Sequence, residues 1–288
     1  MKIITTHSHL LTNPTGLDEF AENGPFSQVW MLQLPEGLHI SEEYSHPASE
    51  AETLDVAKRF PGFLLPFKWV DFRYGPEQID RAVDKGFVGF KGIYPKLSYD
   101  DERYYPIYER IASYHSVMVF HTGYVSTPPY NERLPELGYQ AANMRPAAIR
   151  QIAMLFPEMN VVAAHFGLPW ERELLDSEVT SCPNLYIDLS GGHWTEIQQI
   201  VEQNAMLPAA LPDGQTGIFA DHFLFGADAY IGHPQLHEDI KGYCQLFFDF
   251  FQRIQRENAP WADRIPSILG GNAERIMREN RLYNFHKS

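Results

Sequence analysis

Eight apolar runs, ending in or near polar residues, constrain this chain more than any other feature. They are Lys2 to Thr6, Gln28 to Leu34, Gly62 to Val70, Val88 to Tyr94, Val117 to His121, Val161 to His165, Leu185 to Ser190 and Phe223 to Ala227. Strands of a parallel sheet are buried on both faces and read as near-continuous hydrophobic segments of this kind. Stretches with helical spacing lie between them. Ser49 to Phe60 places Leu54, Val56 and Ala57 inward and stops at Pro61, and Pro76 to Lys85 opens on a helix-initiating proline and stops at Gly86. Asp101 to Tyr114, Pro146 to Phe156, Trp170 to Val179, Thr195 to Asn204, Leu236 to Glu257 and Asn272 to Asn280 continue the series. Strand and helix in alternation predict an α/β fold with a parallel sheet.

Eight such units suit a closed (β/α)8 TIM barrel, here expected as a single domain over residues 1–288. An open doubly wound sheet would carry a glycine-rich first turn, which this sequence lacks. Nor does any stretch rich in Gly, Ser or Pro read as a linker, and the Pro-rich segment Ser126 to Pro135 is expected to be a long active-site loop. Residues 1–10, MKIITTHSHL, hold no apolar run of signal-peptide length, and no apolar stretch approaches a membrane span. A cytoplasmic location is the expectation. Cys182 and Cys244 are too few for a disulfide framework and lie in no metal-binding spacing, so both read as buried free thiols. The formal net charge of −14 disfavours nucleic acid, whose phosphates are met by clustered Lys and Arg. The expected partner is a small-molecule substrate, anionic ones included, because a few arginines in a cleft can outweigh the mean charge. Neither nucleic acid nor membrane is expected, and pairing into a homodimer is allowed.

In a barrel the ends of the strands meet at one rim and bring distant residues together. The histidines follow this logic: His7 and His9 close the first run, His121 the fifth and His165 the sixth, while Asp228 follows the eighth and His193 lies just past the seventh. Two residues apart on an extended segment, His7 and His9 point to the same side. Imidazole nitrogen and carboxylate oxygen are ligands suited to zinc and related divalent ions. An H-x-H pair alone is weak evidence. Its coincidence with three further strand ends carrying His or Asp favours a metal centre over scattered surface or core histidines.

Six motifs then carry a resemblance: H-S-H at 7–9, G-F-K-G at 89–92, F-H-T-G at 120–123, A-H-F-G-L-P-W at 164–170, F-G-A-D at 225–228 and G-G-N-A-E-R-I at 270–276. Together they resemble the amidohydrolase-related family that includes aminocarboxymuconate-semialdehyde decarboxylase. The resemblance spans nearly the whole chain. It implies a mononuclear metal site with His7, His9, His121 and Asp228 as ligands, and His165 as a residue that polarises substrate or orients water. Zinc is the expected ion. A second metal bridged by a carboxylated Lys91 is the less favoured arrangement, known from binuclear relatives. The acidic residue that often stands two positions before the H-x-H in this family is Thr5 here, which tilts the reading toward hydrolysis.

On this reading a divalent metal lowers the pKa of bound water to about 7. Asp228 takes and returns the proton as general acid and base, and His165 stabilises the charge developing on a carbonyl oxygen. The expected reaction is hydrolysis of an amide, lactone or related carboxylic derivative. Nonoxidative decarboxylation of an aromatic or muconate-type acid is the alternative, and a catalytically inactive barrel serving as a scaffold is the third reading. Arg73 and Arg145 are candidates for gripping a substrate carboxylate, or else partners in structural ion pairs. Tyr124 and Trp170 are candidate pocket walls. Asn272 is expected to cap the last helix and brace the strand-eight loop. His39, His46, His115, His222, His233, His237 and His286 fall outside the clustered strand ends, with His233 the one expected nearest the cavity.

Overall fold

The computed structural model describes residues 2–36, 38, 46–125, 140–175, 180–191 and 194–285. Seven strands follow one another round a curled sheet: β1 (Ile4–Leu10), β2 (Gln28–Leu32), β3 (Leu64–Val70), β4 (Gly89–Gly92), β5 (Val117–Phe120), β6 (Asn160–Ala163) and β7 (Leu185–Asp188). A short antiparallel hairpin, β8 (Pro208–Ala210) and β9 (Thr216–Ile218), then stands apart from them. The eighth stave of the barrel is broken into β10 (Phe223–Leu224) and β11 (Ala229–Ile231). Its first piece pairs with β7 and its second with β1, giving the order β10-β7-β6-β5-β4-β3-β2-β1-β11 with every neighbour parallel. Between the pieces, Thr6 N donates to Phe225 O at 2.9 Å and Asp228 N to His7 O at 2.9 Å, so the sheet closes on itself. This is the expected (β/α)8 barrel.

The strand interiors are filled by residues such as Trp30, Phe67, Val119, Val162, Tyr186 and Leu224. Ala273, Ile276 and Met277 of the helix Asn272–Glu279 join that cluster and plug the end of the barrel opposite the histidines. A second, larger core lies between the strands and the surrounding helices, where Ile79, Ile107, Ile149, Ile197 and Phe247 are buried.

Local signals set most boundaries. Ser49 accepts from Glu52 N, and the Glu52 side chain in turn takes the Ser49 N–H, forming a capping box at the start of Glu50–Arg59. Gly86 ends Glu77–Lys85 with φ 107°, a conformation that suits a residue without Cβ. Tyr105–Ser113, Pro146–Leu155, Trp194–Asn204 and Pro234–Arg256 match the other expected helices. The expected helix Trp170 to Val179 appears as a short 3-10 turn, Glu171–Leu174, with 176–179 outside the described residues. The hairpin and the helix Leu17–Asn23 were not foreseen. Cys182 and Cys244 are both free and buried.

Asn272 corrects one expectation. Its amide donates to Phe223 O at 2.9 Å and so braces the eighth stave, but it is the first residue of its helix and supplies no cap; the chain enters directly from the turn Ser267–Gly271. His233 is exposed, where its ring accepts from Gln235 N and caps the long helix Pro234–Arg256. His39, His193, His286 and the segment Ser126 to Pro135 lie outside the described residues. Among the described residues no helix is long and apolar enough to cross a membrane.

His237 fastens that long helix to the strand ends. Its Nε2 accepts from Gly232 N at 3.0 Å, and its ring stacks on Phe20 at 4.4 Å. Burial, with His233 and Lys241 nearby, pushes its pKa down to about 4 from an ordinary 6.5. Between those values the unfolded chain binds more protons than the folded one, so stability falls as the pH is lowered through this window. His237→Gln keeps an acceptor for Gly232 and removes the titration. Urea denaturation between pH 6.5 and 4 is expected to show a slope shallower than the parent's by up to about 1.4 kcal/mol per pH unit.

Candidate metal centre

His7 and His9 lie inside β1, two residues apart, with an irregularity in the β1–β2 pairing between Thr5 and Ser8. Both are buried. Each has its Nδ1 committed: that of His7 donates to Asp188 Oδ2 at 2.7 Å, and that of His9 to the carbonyl of Leu32 at 2.7 Å. Because a carbonyl and an ionised carboxylate can only accept, the proton of each neutral ring sits on Nδ1 and the lone pair on Nε2.

These two lone pairs face one carboxylate oxygen. Asp228 Oδ1 lies 3.4 Å from His7 Nε2 and 3.5 Å from His9 Nε2. Three acceptors so arranged have no proton to share, and a cation among them relieves their repulsion. The separations fit: ligand bonds of about 2.0–2.1 Å in a tetrahedron put the donor atoms roughly 3.3–3.4 Å apart. Burial, with the Lys91 ammonium beside it, pushes the His7 pKa down to about 3, which keeps the ring in its neutral, ligating form. Among the described residues Lys91 competes for this place. It is fully buried, its Nζ donates to His7 Nε2 at 3.1 Å, and burial pushes its own pKa down to about 8.

Asp188, which the sequence reading passed over, organises the floor of the site. It is completely buried and accepts from His7, from His165 N at 3.1 Å, from Ser190 N at 2.9 Å and from the Ser190 hydroxyl. Loss of water works against its charge, yet His7, His165 and Ser190 hold its carboxyl below the usual range. For Asp228 likewise, removal from water opposes ionisation, but His7, His165 and His9 outweigh it and keep the carboxyl well below its ordinary value. A second grouping of possible ligands, His7, His165 and Asp188, is already joined by these hydrogen bonds.

His165 stands over Asp188 with φ 59°, and Asp228 has φ 46°. Left-handed backbone at a non-glycine residue costs of order 1 kcal/mol or more, and both residues are held there by the bonds of their neighbours. His165 Nδ1 lies 3.1 Å from the Ser190 hydroxyl and 3.8 Å from Asp228 Oδ2. On its other side Nε2 meets His121 Nδ1 at 3.1 Å. Since His121 Nε2 faces the carbonyl of Tyr124 at 3.3 Å, His121 Nδ1 is the acceptor and His165 Nε2 the donor. His121 thus contacts His165 and belongs to neither possible ligand group among the described residues.

The four expected substrate contacts divide. Tyr124, Arg145 and Trp170 form one cluster on the rim, with the two aromatic rings 5.5 Å apart and the Arg145 guanidinium 5.1 Å from the Trp170 ring. Arg145 is also paired with Glu173, and Tyr124 is 67% exposed. Arg73 sits on the turn after β3, gripped through Nε and Nη2 by Asp71. The acidic position taken by Thr5 has been put to structural use: its hydroxyl donates to His7 O and accepts from Ala227 N at 3.0 Å.

The family model described as Amidohydrolase matches residues 48–278. The chain belongs to the amidohydrolase family. Among curated proteins none matches the chain. Solved structures that resemble it include an uncharacterised TIM-barrel protein from Bordetella bronchiseptica, 19% identical with a TM-score of 0.64 over 97% of this chain and 99% of that one. A 2,6-dihydroxybenzoate decarboxylase from Rhizobium is 17% identical, TM-score 0.59, over 96% and 98%. A probable 2-pyrone-4,6-dicarboxylic acid hydrolase from Acinetobacter baumannii is 15% identical, TM-score 0.57, over 96% and 99%. At such identities the likeness is one of fold.

Gly226 permits the close approach of the strand ends. A Cβ there would lie 3.0 Å from Ser190 Cβ, 3.1 Å from His7 Cβ and 3.3 Å from Asp188 Cγ, all on rigid elements. Gly226→Ala is therefore expected to lower stability by about 1–3 kcal/mol, read as a lower denaturant midpoint at unchanged slope.

Proposed function

We propose that the protein is a metal-dependent hydrolase of an amide, lactone or related carboxylic derivative, with zinc as its ion. The observation that carries this reading is the convergence of His7 Nε2, His9 Nε2 and Asp228 Oδ1, three acceptor atoms, with the two ring protons fixed on the Nδ1 atoms. These residues would hold the ion. When bound, it supplies Lewis acidity, drawing electron density from a substrate carbonyl and easing removal of a proton from water.

The chain's own groups divide the remaining work. With Oδ1 turned to the two histidines, Asp228 has Oδ2 toward His165, where it can accept a proton from water and return it to the departing group. His165 is aimed at the same space, and by giving up its bond to His121 its Nε2–H can donate to the oxygen on which charge develops. His121 orients His165 through its Nδ1, and its own role as a fourth ligand would require that bond to be given up. Asp188 fixes the His7 tautomer, as carboxylates behind metal-bound histidines commonly do. At the rim Tyr124 and Trp170 would wall a planar substrate, while Arg145 and Arg73 would reach a carboxylate only by leaving Glu173 and Asp71. Lys91 would bridge a second metal only if carboxylated, the less favoured arrangement.

Nonoxidative decarboxylation is the second reading, supported by the fold shared with a protein named as a 2,6-dihydroxybenzoate decarboxylase. A pH-stat screen of lactones and amides, run beside a CO2-release assay on aromatic acids, separates the two. Acid release without CO2 is expected, and CO2 as the sole product would sink the hydrolase reading. Zinc titration of chelator-treated protein is expected to give one ion per chain. No uptake at all would favour an inactive scaffold instead. Asp188→Asn should weaken zinc binding by about 10- to 100-fold in the same titration, and an unchanged affinity would remove Asp188 from the site's support.

A further inference from the structure

Tyr230 brings a phenol to the same mouth. In the β1–β11 ladder it is the direct partner of His9, and residues paired across parallel strands share a face of the sheet. Its ring lies 5.5 Å from the His9 ring and is partly buried. The residue follows Asp228 by two positions, so the strained turn that presents the carboxylate also sets the phenol.

Three more deeply buried tyrosines spend their hydroxyls on the fold. Tyr99 donates between Gly92 O and His121 O, at 3.0 and 3.1 Å; Tyr108 donates to Tyr99 O at 2.8 Å; and Tyr243 donates to Gly191 O at 3.0 Å. Among the described residues the Tyr230 hydroxyl has no such partner. A phenol with an apolar body held in place and its polar tip unspent is what a binding mouth uses to read an oxygen on a ligand. Arg73 and Arg145, the cations considered for that task, are each already paired with an acid.

We propose that Tyr230 is a substrate-binding residue whose hydroxyl donates to an oxygen of the substrate's acyl or carboxyl group beside His9 and Asp228. The inference rests on the reading of the triad as the reacting centre and extends it to the group that orients the substrate there. It requires no covalent step.

The test uses the full-length protein, zinc-loaded, with benzoate as the carboxyl-bearing ligand, followed by calorimetry and by the tyrosine difference spectrum. Tyr230→Phe keeps the ring against His9 and removes only the hydroxyl. It is expected to bind benzoate about tenfold more weakly, as loss of one hydrogen bond to a charged group implies, and to lose the difference signal. Melting temperature and zinc stoichiometry should match the parent. Equal benzoate affinity in the two proteins, or no binding by the parent, would overturn the assignment. Zinc uptake is measured separately. A tyrosine-dependent benzoate affinity without zinc uptake would leave Tyr230 standing and remove the metal reading, whereas zinc uptake with tyrosine-independent affinity would do the reverse.

Discussion

The hydrogen bond from His7 to Asp188 is the interaction on which the rest of the site depends. A carboxylate buried to this degree is tolerated only when its lone pairs are met, and here one imidazole, two backbone amides and one hydroxyl meet them. Satisfying Asp188 in turn dictates what its donors can do. His7 must present a bare Nε2 upward, and His165 must bend its backbone into the left-handed region to bring its amide within reach. One buried charge thereby chooses the tautomer of one histidine and the posture of another.

A second constraint is the break in the eighth stave. Had residues 223–231 run as one regular strand, Asp228 would have kept the alternation of its neighbours. The turn at Asp228 frees the stave to pair with β7 by one piece and with β1 by the other. The same turn points a carboxylate at two histidines and places Tyr230 alongside His9. Strain is paid for here by ladder bonds on both sides, from Thr6, Leu189 and Asp228 itself.

Much of this was legible in the sequence, for reasons that can be traced to particular residues. All eight apolar runs hold strands, the eighth only in its first two residues, because double burial imposes a composition, and Ser49, Pro76 and Gly86 marked helix ends through chemistry that acts locally. The H-S-H pair could be placed on one face because strand geometry alone fixes it. Asp188 was hidden: it lies inside the seventh run, LYIDLS, where a lone acid reads as an interruption of the strand and its partners stand at 7 and 165. The break at Asp228 was equally hidden, since Ala, Asp and Ala announce no turn. His121 illustrates the other limit. A strand-end histidine could be located by pattern, but its contact with His165 is a matter of ring orientation, which no spacing encodes.

The helix that plugs the barrel has a consequence for how the chain is made. Ala273, Ile276 and Met277 fill the space left by strands that begin at residue 4, and Asn280 donates to Val88 O at 2.7 Å from nearly two hundred residues away. On the ribosome the early strands must therefore wait, with their inner apolar faces uncovered, until the helix Asn272–Glu279 has emerged. Such contacts between distant parts of a sequence slow folding and lengthen the time during which sticky surface is exposed. Vectorial synthesis thus leaves the nascent barrel open to association for as long as its closing helix is still being made, a vulnerability that its finished form no longer displays.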